Sequence, residues 1–179
     1  MNEKTSVISF RIDAELKTML EKESQMNHTT TNNLLNNIVR KHVKWDRFAQ
    51  ETGLVFISKP IFRNILVHIN ENELKILASS VCRSTLRDAT MFLKGSINFQ
   101  NLLETVDLWL ENSHIPFRRF TVNTKHEKYI IQHDLGKKYS SYLYTAISTL
   151  FSEIGCTVKK EDLEEQTLDF EIISPSDIN

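Results

Sequence analysis

Thr5-Ser6-Val7-Ile8-Ser9-Phe10-Arg11-Ile12 is the stretch on which the reading of this 179-residue chain turns. Ile8, Phe10 and Ile12 fall on one side and Val7, Ser9 and Arg11 on the other, which is the two-residue period of a strand. A lone strand cannot satisfy its own backbone or bury its apolar face. No second strand pattern follows for many residues. The economical partner is the same strand of a second copy, giving a two-stranded ribbon narrow enough for the major groove of DNA.

Two helices are predicted next. Asp13 is placed to cap the first, with acidic Glu15 in its opening turn. Leu16, Leu20 and Ser24 share a stripe, with Met19 beside it. Asn27-His28 ends that helix, with Asn27 as the natural left-handed residue. Thr30 caps the second helix, whose apolar face carries Leu34, Leu35, Ile38 and Val39, with Trp45 further on.

This order of strand, Asp-capped helix, Asn turn and Thr-capped helix, over about residues 4–47, resembles the ribbon-helix-helix family of the Arc and methionine repressors. The resemblance implies a homodimer or a higher oligomer built from it. Val7, Ser9 and Arg11 would read bases, Arg11 through a bidentate pair to guanine. Lys4, Thr30, Thr31 and Asn32 would hold phosphates at a helix N-terminus. Ile8, Phe10, Ile12, Leu16, Leu20, Leu34, Leu35 and Ile38 would form the dimer core. Arg40, Lys41 and Lys44 add attraction to phosphates. The function implied is a sequence-specific, DNA-binding transcriptional regulator with double-stranded DNA as partner. The alternatives are an antitoxin or protein-interaction module built on the same head, and a metal- or ligand-responsive regulator.

Composition is that of a globular protein, with 40% hydrophobic and 25% charged residues. Four glycines and three prolines argue against long disordered tracts. The net charge is −1, split as +2 over residues 1–50 and −3 over residues 51–179. The sign suits a head that meets a polyanion, and the size excludes general stickiness to nucleic acid. No apolar run is long enough to span a bilayer and the start is polar, so no membrane partner is expected. Two cysteines, Cys82 and Cys156, suit reduced thiols in a cytoplasmic protein.

The fold class expected is α+β. A ribbon-helix-helix head over residues 1–50 is followed by a regulatory or oligomerisation domain over 54–174, helical in 54–113 and mixed in 116–173. Pro60 opens one helix, Asn70 with Glu73 caps another, Ser84 a third and Asn98 a fourth. After Pro116 the period changes. Residues 117–122, 128–133, 156–159 and 167–173 read as strands around a helix at 138–154, which suits an antiparallel sheet with one covered face. The segment 129–140 resembles uncharacterised archaeal proteins with a ribbon-helix-helix head, and that likeness carries no biochemical function.

No catalytic residue is expected. His133-Asp134 is the most enzyme-like pair, but neighbours on a strand point to opposite faces, and no nucleophile motif is present. His114, His126, His133, Cys82 and Cys156 are scattered, without the close spacing of metal ligands. Neither a metal nor another cofactor is expected. Tyr129, Tyr139, Tyr142, Tyr144, Phe151 and Phe170 are read as core, with a ligand pocket as the alternative. The C-terminal domain would then receive a small-molecule effector or a protein partner.

Overall fold

The computed structural model describes residues 6–51 and 54–175. The chain divides into two compact units, Met1–Val43 and Lys44–Asn179.

In the first unit, α1 (Ala14–Met26) starts where the Asp13 carboxylate accepts the backbone N–H groups of Glu15 at 2.8 Å and Leu16 at 3.4 Å. The helix α2 (Thr31–Lys41) starts at Thr30, whose hydroxyl accepts from the Asn33 N–H at 3.1 Å. The turn between them carries its left-handed residue at His28 (φ 49°), with Asn27 at φ −89°.

The ribbon is not formed. Residues 6–13 make no ladder, and Val7 is 95% exposed, with Ile8, Phe10 and Ile12 exposed as well. Alternation along eight residues permits a strand but does not supply the backbone partner that a strand requires. The residues named for a dimer core differ in exposure within the single chain. Leu16 and Ile38 are exposed, and only Leu20, Leu34 and Leu35 are half-buried. Lys4 and Thr5 lie outside the described residues.

The second unit is built on a four-stranded antiparallel sheet of order β1-β2-β4-β3. Its strands are β1 (Phe117–Asn123), β2 (His126–Gln132), β3 (Thr157–Leu163) and β4 (Thr167–Ile173). The hairpins β1–β2 and β3–β4 flank a crossover through α8 (Lys137–Ser152), and β4 lies between β2 and β3. Burial alternates along the two central strands, so Tyr129, Ile131, Leu168, Phe170 and Ile172 all face the core. Tyr129 and Phe170 are register partners, and their rings stack 5.3 Å apart at 3°. The stripe Leu143, Ala146, Ile147, Leu150 of α8 is fully buried with them.

The remaining helices are α3 (Arg47–Glu51), α4 (Lys59–His68), α5 (Glu71–Val81), α6 (Asp88–Lys94) and α7 (Phe99–Asn112). The start of α5 is a reciprocal capping box: the Asn70 side chain accepts from the Glu73 N–H, and the Glu73 carboxylate accepts from the Asn70 N–H. Ser84 caps nothing. It lies inside a π-helical stretch, Cys82–Arg87, and its hydroxyl donates to the Ser80 carbonyl.

The helix α7 is pinned to the sheet by charge. The Tyr129 hydroxyl donates to Asp107 at 2.8 Å, and the Arg119 guanidinium lies 2.9 Å from the other Asp107 oxygen. That second contact is an ion pair by distance, without the alignment of a hydrogen bond. Glu127 completes the group, accepting from the Thr121 hydroxyl at 3.1 Å. Burial raises the Asp107 carboxyl and pushes the Tyr129 phenol well up. Among the described residues no helix is long and apolar enough to cross a membrane.

Candidate ligand-binding cavity

The loop between β2 and α8 organises one end of the second unit. His133 is buried, and both of its ring nitrogens are engaged. Nδ1 accepts from the Leu135 N–H at 3.3 Å, and Nε2 lies 2.8 Å from the Ser140 hydroxyl. That hydroxyl donates to the Glu164 carbonyl at 2.6 Å, so Nε2 carries the proton and the imidazole is neutral. Burial lowers its pKa in the same sense. This Ser-His contact is therefore a buried strut, because the serine proton already has an acceptor.

Gly136 follows at φ 86°, a backbone that side chains rarely adopt, and α8 starts directly after it. The same loop fixes both ends of α4. The Asp134 carboxylate pairs with Lys59 at 3.3 Å and Arg63 at 3.4 Å. At the other end the Lys138 ammonium donates to the carbonyls of Val67 at 2.8 Å and Ile69 at 2.6 Å, groups that a helix C-terminus leaves unpaired.

Held in this way, α4 forms one wall of a cavity of about 320 Å³. Phe62 stands edge-on to Tyr139 (5.7 Å, 82°) and Tyr142 (6.5 Å, 84°), which stack on each other at 5.9 Å. Trp45 and Trp109, the only tryptophans of the chain, complete the aromatic lining. The polar lining residues include Thr85, Asn112, Ser113, His114 and Lys59, and among the described residues no carboxylate lines the space. The extended segment 54–57, all apolar, runs along the cavity with Phe56 96% exposed.

Tyr139 and Tyr142 belong to the buried core cluster, as the sequence predicts, and also line this cavity, whereas Tyr129, Phe151 and Phe170 lie in the core away from it, with Tyr144 packed against that core. Trp45 likewise belongs to the second unit, packed with Phe48 and Ala89. The segment 54–57 is legible in the sequence only as an apolar run without a helical period. Val7, Ser9 and Arg11 are exposed in the first unit, and Asn32 is exposed on α2. Thr30 is occupied as a cap, and the Thr31 hydroxyl lies 3.1 Å from that of Ser24. None of these residues contributes to the cavity. His114 reaches the cavity wall, His126 pairs with Glu171 at 3.1 Å, and His133 is closed off, so the scattered donors do not converge. Among the described residues no group of three His, Cys, Asp or Glu side chains is placed to hold a metal ion. The Cys82 thiol is buried and pushed up to about 12, which keeps it unreactive.

The architecture, helices followed by an antiparallel sheet of order β1-β2-β4-β3, has a counterpart among solved structures. A structure described as "Probing the function of heme distortion in the H-NOX family" is similar to this chain with a TM-score of 0.51 and 12% identity. The likeness covers 82% of this chain and 92% of that one. A Cs H-NOX mutant with 4-cyano-L-phenylalanine at site 5 is far more distant, with a TM-score of 0.31 and 13% identity over 98% of this chain and 80% of that one. No family model matches the sequence, and no curated protein does. At this identity the likeness speaks for the fold alone. It replaces the ribbon-helix-helix assignment. The DNA-binding regulator and the antitoxin reading, both of which rested on that head, fall with it.

Proposed function

We propose that the second unit is a non-catalytic binding module for a small, mostly apolar effector held in the cavity between α4, α8 and the end of α7. The observation that carries this is the cavity itself: about 320 Å³ walled by six aromatic side chains, Phe56 included, with a few polar residues among them. Pockets that take small molecules have this size and this mixture of walls. The shared fold with the H-NOX structure adds support, because that structure is described in terms of heme distortion.

Heme itself does not fit these residues. Axial ligands to heme iron are His, Cys, Met or Tyr. Burial pushes the phenols of Tyr139 and Tyr142 up and so holds them in the neutral form. The helix α7 has no histidine, and His114 is an exposed residue at φ 53° on the turn that follows. The two heme carboxylates would need cations, and the one lysine or arginine in the wall among the described residues, Lys59, is already paired with Asp134.

Because both tryptophans line the cavity, intrinsic fluorescence reports its occupancy directly. Titration of the full chain with naphthalene should give saturable quenching. Ala49→Phe and Thr85→Phe, each filling part of the space, should abolish the saturable phase while the far-ultraviolet spectrum stays unchanged. Equimolar hemin should give no sharp, stoichiometric Soret band. Saturable quenching that survives in both folded filling variants would remove the cavity as the binding place.

A further inference from the structure

The ligand class can be narrowed by two side chains. Tyr139 is 4% exposed and Tyr142 is 8% exposed, and both line the cavity. The other two tyrosines have partners: Tyr129 donates to Asp107, and Tyr144 donates to the Val158 carbonyl. The hydroxyls of Tyr139 and Tyr142 bond to no acceptor among the described residues, and neither oxygen is among the enclosed polar atoms left without a partner, so both stay open to water or to a ligand. A ligand that covered such a hydroxyl without accepting from it would lose about 1–3 kcal/mol. Two such hydroxyls side by side, on rings 5.9 Å apart, make a donor pair without an acceptor among the described residues.

Charge limits the acceptor. Among the described residues no carboxylate lines the cavity, and the one lysine or arginine that does, Lys59, is balanced by Asp134 at 3.3 Å, which also faces Arg63. An anion near the tyrosines would lose its hydration and meet no free positive charge. Shape limits the rest. Phe62, Tyr139 and Tyr142 present ring faces and edges in a slot. A cavity of about 150 Å³ holds benzene, so roughly twice that volume accommodates a fused pair of rings with a substituent.

Resting on the effector reading above, we infer that the ligand is a neutral, planar aromatic molecule bearing a carbonyl or similar acceptor, which Tyr139 and Tyr142 bind by donating their hydroxyl hydrogens. Ring stacking supplies affinity and the two phenols supply selection.

Three probes of one shape test this on the full chain by tryptophan quenching: 2-acetylnaphthalene, naphthalene and 2-naphthoate. The ketone should bind about fivefold to tenfold more tightly than naphthalene, the size expected of one or two net hydrogen bonds. The carboxylate should bind more weakly than either. In Tyr139→Phe and Tyr142→Phe together, the preference for the ketone over naphthalene should disappear. Equal affinity of ketone and naphthalene in the wild-type chain, a preference that survives the double variant, or tightest binding of 2-naphthoate would each overturn the inference while leaving the cavity as a binding site. No saturable binding of any probe would overturn the effector reading beneath it. Should the double variant not fold, the wild-type ranking of the three probes decides alone.

Discussion

His133 is held neutral by geometry as much as by burial. Its Nδ1 accepts a backbone N–H and its Nε2 donates to Ser140, so a second proton has nowhere to go without breaking the Leu135 contact. Its folded pKa is lowered below 6.5, with desolvation as the largest cause, although Asp134 and Glu165 pull the other way. The unfolded chain therefore binds this proton more readily than the folded one. The stabilisation is fully present above pH 6.5 and is lost as pH falls through the lowered folded value. The melting temperature of the wild-type chain should decline between pH 7 and pH 5, and that of His133→Asn should decline less. Parallel pH profiles for the two proteins would show that His133 is not the group responsible. At the same scale, the sequence displayed His133-Asp134 as its most reactive-looking pair, yet the two residues do unrelated work. One is a buried strut and the other an exposed anchor for Lys59 and Arg63. Adjacent residues reveal little about partners that lie 71 positions away, as Arg63 and Asp134 do.

Elements were legible where their signal is local. The Asn70–Glu73 box, the Asn98 cap and the change of period after Pro116 depend on residues within a turn or two of one another, and the corresponding helices and strands are present. The strand expected at Thr5–Ile12, described from residue 6 onward, and the cap at Ser84 failed for a shared reason. A strand needs a partner from outside the segment, and the π-helical stretch Cys82–Arg87 buries Cys82 and Leu86 on one side through packing that no local pattern encodes. Lys138 shows how a single side chain binds two elements. It begins α8, and its ammonium closes the C-terminus of α4 through two carbonyls. Lys138→Met keeps the aliphatic stem and removes both bonds. It should destabilise the protein by about 1–2 kcal/mol, given that hydrogen bonds to charged groups exceed neutral ones. Chemical denaturation measures this, and a loss below about 0.3 kcal/mol would mean that water replaces the ammonium at no penalty.

At the scale of the molecule, the cavity was illegible because its wall is drawn from four stretches, at 45–62, 85, 109–115 and 135–142. Composition showed the aromatics but not which two tyrosines would line a cavity. Only the crossover through α8 brings the end of α7 beside the start of α8, with the π-helical Thr85 alongside. That assembly makes a thermodynamic demand. A ligand that binds only where these four stretches meet stabilises the folded second unit by mass action, by about 2.7 kcal/mol at a hundredfold excess over its Kd. For a chain of this size that corresponds to roughly 5–10 °C in the unfolding of that unit. Saturating 2-acetylnaphthalene should therefore raise the corresponding transition. Amide hydrogen exchange should slow most in α4, in the turn 113–115 and in the first half of α8. Protection that rose in α1 and α2 while these segments stayed unchanged would place the ligand away from the cavity. A bound probe that left both the transition and the exchange unmoved would mean that it favours the folded and unfolded chains equally, which no ligand of a preformed cavity can do.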